Sequence, residues 1–217
     1  MHTHSAETQA TMTPAKAIQF LKEGNQRFLA NLRANRDLQQ QVAQTRQGQW
    51  PFAVVLGCID SRAPAEIVFD QGIGDMFNVR IAGNFVTDEI LGSLEFSCKI
   101  AGAKLIVVLG HTHCGAIKGA CDGVELGHLT DMLAHLKPAV DAVEEPRDPA
   151  LRTSQNAEFV QHVARENVER MIREIFARSE VLAEMLTKGE IDIIGAMYDI
   201  ETGKVEFAER SALSSSR

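Results

Sequence analysis

The chain has 217 residues, of which 45% are hydrophobic and 24% charged, and its formal net charge is −7. This length and composition are typical of one globular domain, so we expect a single domain over residues 1–217. The acidic balance and the absence of a Lys/Arg run argue against nucleic acid and against an anionic membrane surface as partners, and no apolar run reaches the length of a membrane span.

The N-terminal part of the chain is expected to be a disordered segment followed by a helical arm. Residues 1–13 are polar and lack the apolar core of a secretory signal, so we expect them to be disordered and the protein to be cytoplasmic. The four cysteines should then be reduced. Pro14 suits a first helical turn, and apolar residues recur at helical spacing as far as Leu32, so residues 14–49 predict an N-terminal helical arm.

The middle of the chain alternates between predicted strands and helices. β-branched and apolar runs predict buried strands over 52–56 and 104–109, with another strand over Met76–Arg80. Between the strands predicted over 76–80 and 104–109, residues 87–101 show a helical apolar stripe. Thr87 caps the start of this predicted helix and Gly102 ends it.

The C-terminal half continues the pattern and decides the fold class. A short helix is predicted over 129–136, a long one over 156–186, and strands over 191–198 and 204–209 around a hairpin signal at 201–203. Alternating strands and helices predict an α/β fold: a central mostly parallel β-sheet with an antiparallel C-terminal edge hairpin, flanked by helices.

Two short segments carry the candidate chemistry. They are Cys58-Ile-Asp-Ser-Arg62 and His111-Thr-His-Cys-Gly115, and each follows a predicted buried strand. Ligands of parallel sheets bind beyond the carboxyl ends of the strands, and zinc accepts thiolate sulfur and imidazole nitrogen in tetrahedral geometry. Cys58, His111 and Cys114 therefore predict a three-ligand zinc site, whose fourth position is open to water or to the carboxylate of Asp60.

With these motifs the chain resembles the β-class carbonic anhydrases, from a helix containing 25–28 to the terminal hairpin. The resemblance implies one Zn²⁺ per subunit on Cys58, His111 and Cys114, and a catalytic pair formed by Asp60 and Arg62. It further implies a set of substrate-binding residues: Gln49, Phe77, Ala82, Phe96 and Gly115.

The resemblance also implies an activity and an assembly. The expected reaction is the reversible hydration of CO₂ to bicarbonate and a proton by zinc-bound hydroxide. The expected assembly is a homodimer or tetramer, in which Gln49 serves the neighbouring subunit's site and the N-terminal helices reach across, although the apolar face of this helix could equally cover its own sheet.

The resemblance implies that the zinc site can be either open or closed. Asp60 can fill the fourth zinc position in a closed state, and regulated members of the family carry Trp where this chain has Val55. Because that Trp is missing, we expect the open state, although Arg80 and Tyr198 match other parts of the family's bicarbonate site.

Other interpretations stay open on the sequence alone. One is a CS₂ or COS hydrolase on the same scaffold; another is a non-catalytic, zinc-stabilised or bicarbonate-sensing module. At the level of single residues, Gln49 can be a solvated side chain of a Gln-rich stretch, and Phe77 and Phe96 can be ordinary core residues. The helical set formed by His128, Asp131 and His135 is expected to be solvated surface rather than a second metal site.

Overall fold

The computed structural model describes residues 3–208, which form a five-stranded sheet of order β2-β1-β3-β4-β5. The strands are β1 (Ala53–Gly57), β2 (Met76–Arg80), β3 (Leu105–His111), β4 (Asp192–Tyr198) and β5 (Val205–Phe207). The first four are parallel and β5 runs antiparallel to β4. The predicted fold class is confirmed; residue 209 of the last predicted strand lies outside the described residues.

Ten α-helices surround the sheet within residues 3–208. They are α1 (Ala6–Ala10), α2 (Pro14–Leu29), α3 (Leu38–Thr45), α4 (Ala65–Val68), α5 (Asp88–Glu95), α6 (Gly115–Asp122), α7 (Gly127–Ala134), α8 (Lys137–Ala142), α9 (Ala157–Arg178) and α10 (Glu180–Thr187). A π-helical turn, Phe96–Ile100, extends α5. None of these helices combines the length and the apolar character that a membrane crossing needs.

The central strands are buried on both faces, which explains their unbroken apolar sequences. Val54 and Ile106 face a core shared with α5, α9 and α10. Val55 and Val107 face the opposite core, which α2 and α4 cover. The parallel register pairs Gly57 with Leu109, so the ends of β1 and β3 lie side by side.

The expected disorder of residues 1–13 is wrong for the part that the structure describes. α1 begins with a capping box between Ser5 and Thr8. The Nε2 of Gln9 donates hydrogen bonds of 2.8 Å to two carbonyl oxygens, those of Pro51 and Ala101. A five-residue helix is not stable alone, so these contacts with distant segments hold it, and such contacts leave no local sequence pattern.

Residues 14–49 contain two helices, α2 and α3, joined by a non-helical segment, and α2 lies on the chain's own sheet. Its Ala17 and Leu21 are fully buried in the core beside Phe52. The buried Asn25 donates to the carbonyl oxygens of Val68 (3.1 Å) and Gly203 (3.0 Å) and accepts a bond from the N–H of Val205. These bonds tie α2 to the end of α4 and to the terminal hairpin.

Three predicted helices differ from those in the structure. The long helix expected over 156–186 is divided at Ser179, which has extended backbone angles and caps α10 by accepting from the N–H of Leu182. The serine hydroxyl also donates to Glu95, 2.6 Å away. The helix expected over 87–101 ends in the π-helical turn, where the Ala101 N–H bonds to the Phe96 carbonyl oxygen. The short helix expected over 129–136 is replaced by α7 and α8.

A buried carboxylate fastens the segment that follows α2. Asp70 accepts hydrogen bonds from Arg27 (2.5 Å), from Arg36 (2.6 Å) and from the Ala34 N–H (3.1 Å). Burial by itself would raise the pKa of Asp70, but these bonds outweigh it and hold the pKa below its ordinary value. Asp70 is therefore a charged, paired group that stabilises the fold at neutral pH.

We predict that Asp70→Asn lowers the free energy of unfolding of the metal-free protein by about 3 kcal/mol at pH 7, since one partner of a buried ion pair is lost. Asparagine suits the site because residue 70 has a φ of +44°. The lowered pKa means that this contribution is complete above about pH 4 and disappears as the pH falls through the folded-state pKa.

Urea unfolding of wild type and variant between pH 7 and pH 3.5 measures this difference. The exposed pair of Glu184 and Lys188 supplies the control, because solvent screens this ion pair and Glu184→Gln should leave the free energy of unfolding nearly unchanged. A difference for Asp70→Asn that does not shrink in acid would contradict the ion-pair explanation.

Candidate metal centre

Three potential metal ligands converge where β1 and β3 end. Cys58 directly follows β1, His111 is the last residue of β3, and Cys114 is the N-cap of α6. Their ligand atoms all lie within 4.8 Å of one another, and all three residues are buried. Within residues 3–208 this is the one such cluster, so His128, Asp131 and His135 do not form a second metal site there.

The imidazole of His111 is oriented as a metal ligand. Its Nδ1 lies 2.9 Å from the carbonyl oxygen of Thr112, so a proton on Nδ1 leaves the Nε2 lone pair free. This Nε2 is buried and has no hydrogen-bond partner in the part of the chain that the structure describes. A buried polar atom without a partner is costly, and a metal ion beside the two sulfurs satisfies it. The donor set of two sulfurs and one imidazole fits zinc.

The two sulfurs of the cluster lie within hydrogen-bond distance of each other. Their Sγ atoms lie 4.0 Å apart. The hydrogen bond between them lowers the pKa of the Cys58 thiol, and the same bond, together with burial, raises the pKa of Cys114. One thiolate is thus already favoured, and metal binding displaces the remaining proton.

The other two cysteines behave differently. Burial raises the pKa of the Cys98 thiol to about 12 and that of Cys121 to about 11. Both are therefore protonated at neutral pH and lie outside the cluster. None of the four cysteines, all of which lie within residues 3–208, forms a disulfide bond, and the expected cytoplasmic location stays a prediction.

Beside the cluster, Asp60 is held by Arg62. The Oδ1 atom accepts from the Arg62 N–H and Nε, both at 2.9 Å, and Oδ2 accepts from Nη2 at 2.7 Å. These bonds, foremost those from the guanidinium, hold the pKa of Asp60 well below its ordinary range. Its Oδ2 also lies 3.9 Å from the Nε2 of His111. A carboxylate therefore stands at the edge of the metal cluster, turned toward Arg62.

Comparison with known proteins identifies the family. The sequence model of a family described as carbonic anhydrase matches residues 53–205. Carbonic anhydrase 2 of Mycobacterium tuberculosis is 37% identical over 198 residues, which are 88% of this chain and 91% of that relative. A crystallised β-carbonic anhydrase of Aspergillus fumigatus superposes with a TM-score of 0.70 at 26% identity, over 82% of this chain and 84% of that one. The chain belongs to the β-class carbonic anhydrases.

Solved structures of the class include assembled forms. One of two tetrameric β-carbonic anhydrases from Sordaria macrospora superposes with a TM-score of 0.64 at 26% identity, covering 78% of this chain and 89% of that one. Family membership and the Cys-His-Cys cluster confirm the expected enzyme, a zinc-dependent carbonic anhydrase that hydrates CO₂. Neither alternative, the CS₂ or COS hydrolase or the non-catalytic module, is favoured.

The five residues expected to bind substrate differ in position and in exposure. Phe77 and Phe96 contact each other edge to face with their ring centroids 6.2 Å apart, and Phe96 is 52% exposed. Ala82 is half-buried after β2, and Gly115 is exposed at the start of α6. Gln49 is exposed and precedes β1, so it lies at the opposite end of that strand from Cys58. The substrate-binding roles of all five stay predictions.

Arg80, the last residue of β2, and Gly83, in the loop that follows it, contact the metal-site loop. Arg80 donates from Nε to the carbonyl oxygen of Cys58 (2.8 Å) and from Nη2 to that of Asp60 (2.6 Å). The Gly83 N–H donates to the Cys58 sulfur at 3.3 Å. The sequence did not predict these contacts, since each joins residues at least 20 positions apart. Arg80, matched by resemblance to a bicarbonate contact, holds the backbone of the Cys58–Asp60 loop.

Proposed function

We propose that Asp60 and Arg62 carry the catalytic hydration of CO₂ beside a zinc ion held by Cys58, His111 and Cys114. The observation that carries this proposal is the two-pronged contact of Asp60 with Arg62 next to the unpaired Nε2 of His111. A zinc ion in such a site supplies Lewis acidity and makes a nucleophile of water at neutral pH. Two thiolates neutralise its charge, so it acidifies water less than a three-imidazole site and needs help from the protein.

Asp60 provides that help as an acceptor. Because Arg62 keeps the carboxylate ionised, Asp60 cannot donate a hydrogen bond and can only accept one from the nucleophile. Accepting that bond holds the attacking oxygen with a lone pair directed away from Asp60, toward the carbon of CO₂. Arg62 acts through Asp60, by fixing the orientation of the carboxylate through its guanidinium and its backbone N–H.

The surrounding residues suit the substrate. Phe77, Phe96 and Ala82 form an apolar wall for CO₂, which has no net dipole. The side-chain amide of Gln49, from a neighbouring subunit, donates to an oxygen of the bicarbonate product. Gly115 leaves space at the start of α6, where an added Cβ would meet no atom within 4 Å.

We further propose that the site is open at neutral pH. To bind the metal, Asp60 would have to give up its three hydrogen bonds from Arg62. Val55 is fully buried in the core, and Arg80 is engaged with two carbonyl oxygens of the metal-site loop. The fourth metal position is therefore left to water.

We predict that Asp60→Asn lowers kcat/KM for CO₂ hydration by a factor of about 100 or more while the zinc content is unchanged, because the amide can no longer act as a pure acceptor. Stopped-flow hydration near pH 8 measures it, and the exposed Asp131→Asn on α7 is the matched control. Zinc-loaded wild type that is inactive at both neutral and alkaline pH would contradict the proposed function.

The proposed assembly is a homodimer or a tetramer, with sites shared between two subunits. Eight residues separate Gln49 from its own Cys58, and the five that form β1 alone span about 16 Å along the strand. Its amide therefore acts on a neighbouring subunit. Three large apolar side chains, those of Ile59, Phe96 and Ile100, are 60%, 52% and 73% exposed in the single chain, and a subunit interface would cover them.

A mixing experiment tests the shared site. Asp60→Asn and Gln49→Ala should each assemble normally and lose activity, and equal amounts of the two, after subunit exchange, should recover about a quarter of the wild-type activity. This recovery arises because half of the dimers are mixed, and each mixed dimer has one intact site. A mixture that stays inactive, or wild type that sediments only as monomer at micromolar concentration, would exclude it.

A further inference from the structure

The sulfur of Cys58 accepts a hydrogen bond from the backbone N–H of a glycine in the loop after β2. The Gly83 N–H lies 3.3 Å from this sulfur. Gly83 has a φ of +81°, and a Cβ added to it would lie 2.6 Å from the Cδ1 of Leu136. Both the backbone angle and the lack of space therefore require glycine at this position.

A second buried residue holds this glycine in place. Asn167, on α9, is fully buried, and its Nδ2 donates to the carbonyl oxygen of Gly83 at 2.9 Å. Because glycine has no side chain that limits its rotation, the backbone of Gly83 needs an external anchor. Asn167 anchors the carbonyl on one side of the glycine, and the N–H on the other side is thereby directed at Cys58.

Stability alone explains Asn167 poorly. Asparagine is a weak residue for a helix interior, and the Oδ1 of Asn167 has no hydrogen-bond partner among the described residues. A buried side-chain amide whose oxygen has no hydrogen-bond partner lowers the stability of a fold. A leucine of similar size would fill the same position without a buried, unpaired side-chain oxygen. Within residues 3–208, the one hydrogen bond that the Asn167 side chain makes is the bond to Gly83.

We infer that Asn167 is a positioning residue of the metal centre, which acts through Gly83 on the Cys58 sulfur. A thiolate that accepts an N–H bond donates less charge to its metal, and its orientation is set before the metal binds. In a site with two thiolates, this bond restores part of the Lewis acidity that the second sulfur removes. The inference rests on the proposed zinc site.

Two substitutions at Asn167 and one control test the inference. Asn167→Leu removes the donor at constant size, and Asn167→Ala removes it with less crowding. The control is Asn25→Leu, since Asn25 is also a buried helical asparagine bonded to carbonyl oxygens but lies on the opposite face of the sheet. Zinc affinity is measured by chelator competition, and the sulfur-to-metal charge-transfer absorption is measured on Co²⁺-substituted protein.

Both Asn167 variants should bind zinc about tenfold or more weakly than wild type, and their Co²⁺ charge-transfer band should move to longer wavelength as the thiolate becomes richer in electrons. The control should lose stability while its zinc affinity stays within about twofold and its band does not move.

Unchanged affinity and absorption in the Asn167 variants would overturn the inference, and so would a change confined to the leucine variant, which would indicate crowding. If Asn167→Leu does not fold, Asn167→Ala decides. Failure of wild type to bind zinc would instead refute the proposed function.

Discussion

The parallel pairing of β1 with β3 is the constraint on which the metal centre depends. Cys58 and His111 are more than 50 positions apart in the sequence, and the register that pairs Gly57 with Leu109 brings them to the same edge of the sheet. That pairing is stable because both faces of these strands are buried, one under α5, α9 and α10 and the other under α2 and α4. The two cores thus position the ligands, and Cys58 and Cys114 themselves belong to the first of these cores.

Three segments of the chain provide the metal ligands and the contacts that support them. The loop after β1 provides Cys58, Asp60 and Arg62, and the segment that ends β3 provides His111 and Cys114. Arg80, the last residue of β2, holds the first loop by its carbonyl oxygens, and the Gly83 N–H, in the loop after β2, holds it by the Cys58 sulfur. Metal ligands, acceptor carboxylate and supporting contacts therefore come from consecutive strands of one sheet, as expected for parallel α/β folds.

The sequence predicted what is encoded locally. The apolar runs predicted the strands, and the short spacings in the two motifs predicted the metal cluster, because each motif lies directly after a strand. Ser179 shows where local reasoning fails: its helical neighbours predict one long helix, but its hydroxyl caps α10 and bonds to Glu95, 84 positions away in the chain. The same limit applies to α1, which is held by the distant carbonyl groups of Pro51 and Ala101, and to Asn167, whose partner is known only once the chain is folded.

The central claim is that zinc binds to two sulfurs and one imidazole while Asp60 remains with Arg62. A crystal structure of the zinc-loaded protein near pH 7 tests this claim most directly. It should show zinc in tetrahedral coordination by Cys58 Sγ, His111 Nε2 and Cys114 Sγ, a water molecule as fourth ligand, and both guanidinium bonds to Asp60 intact. A carboxylate oxygen of Asp60 bound to zinc, with Arg62 released, or zinc on a different set of ligands, would contradict it.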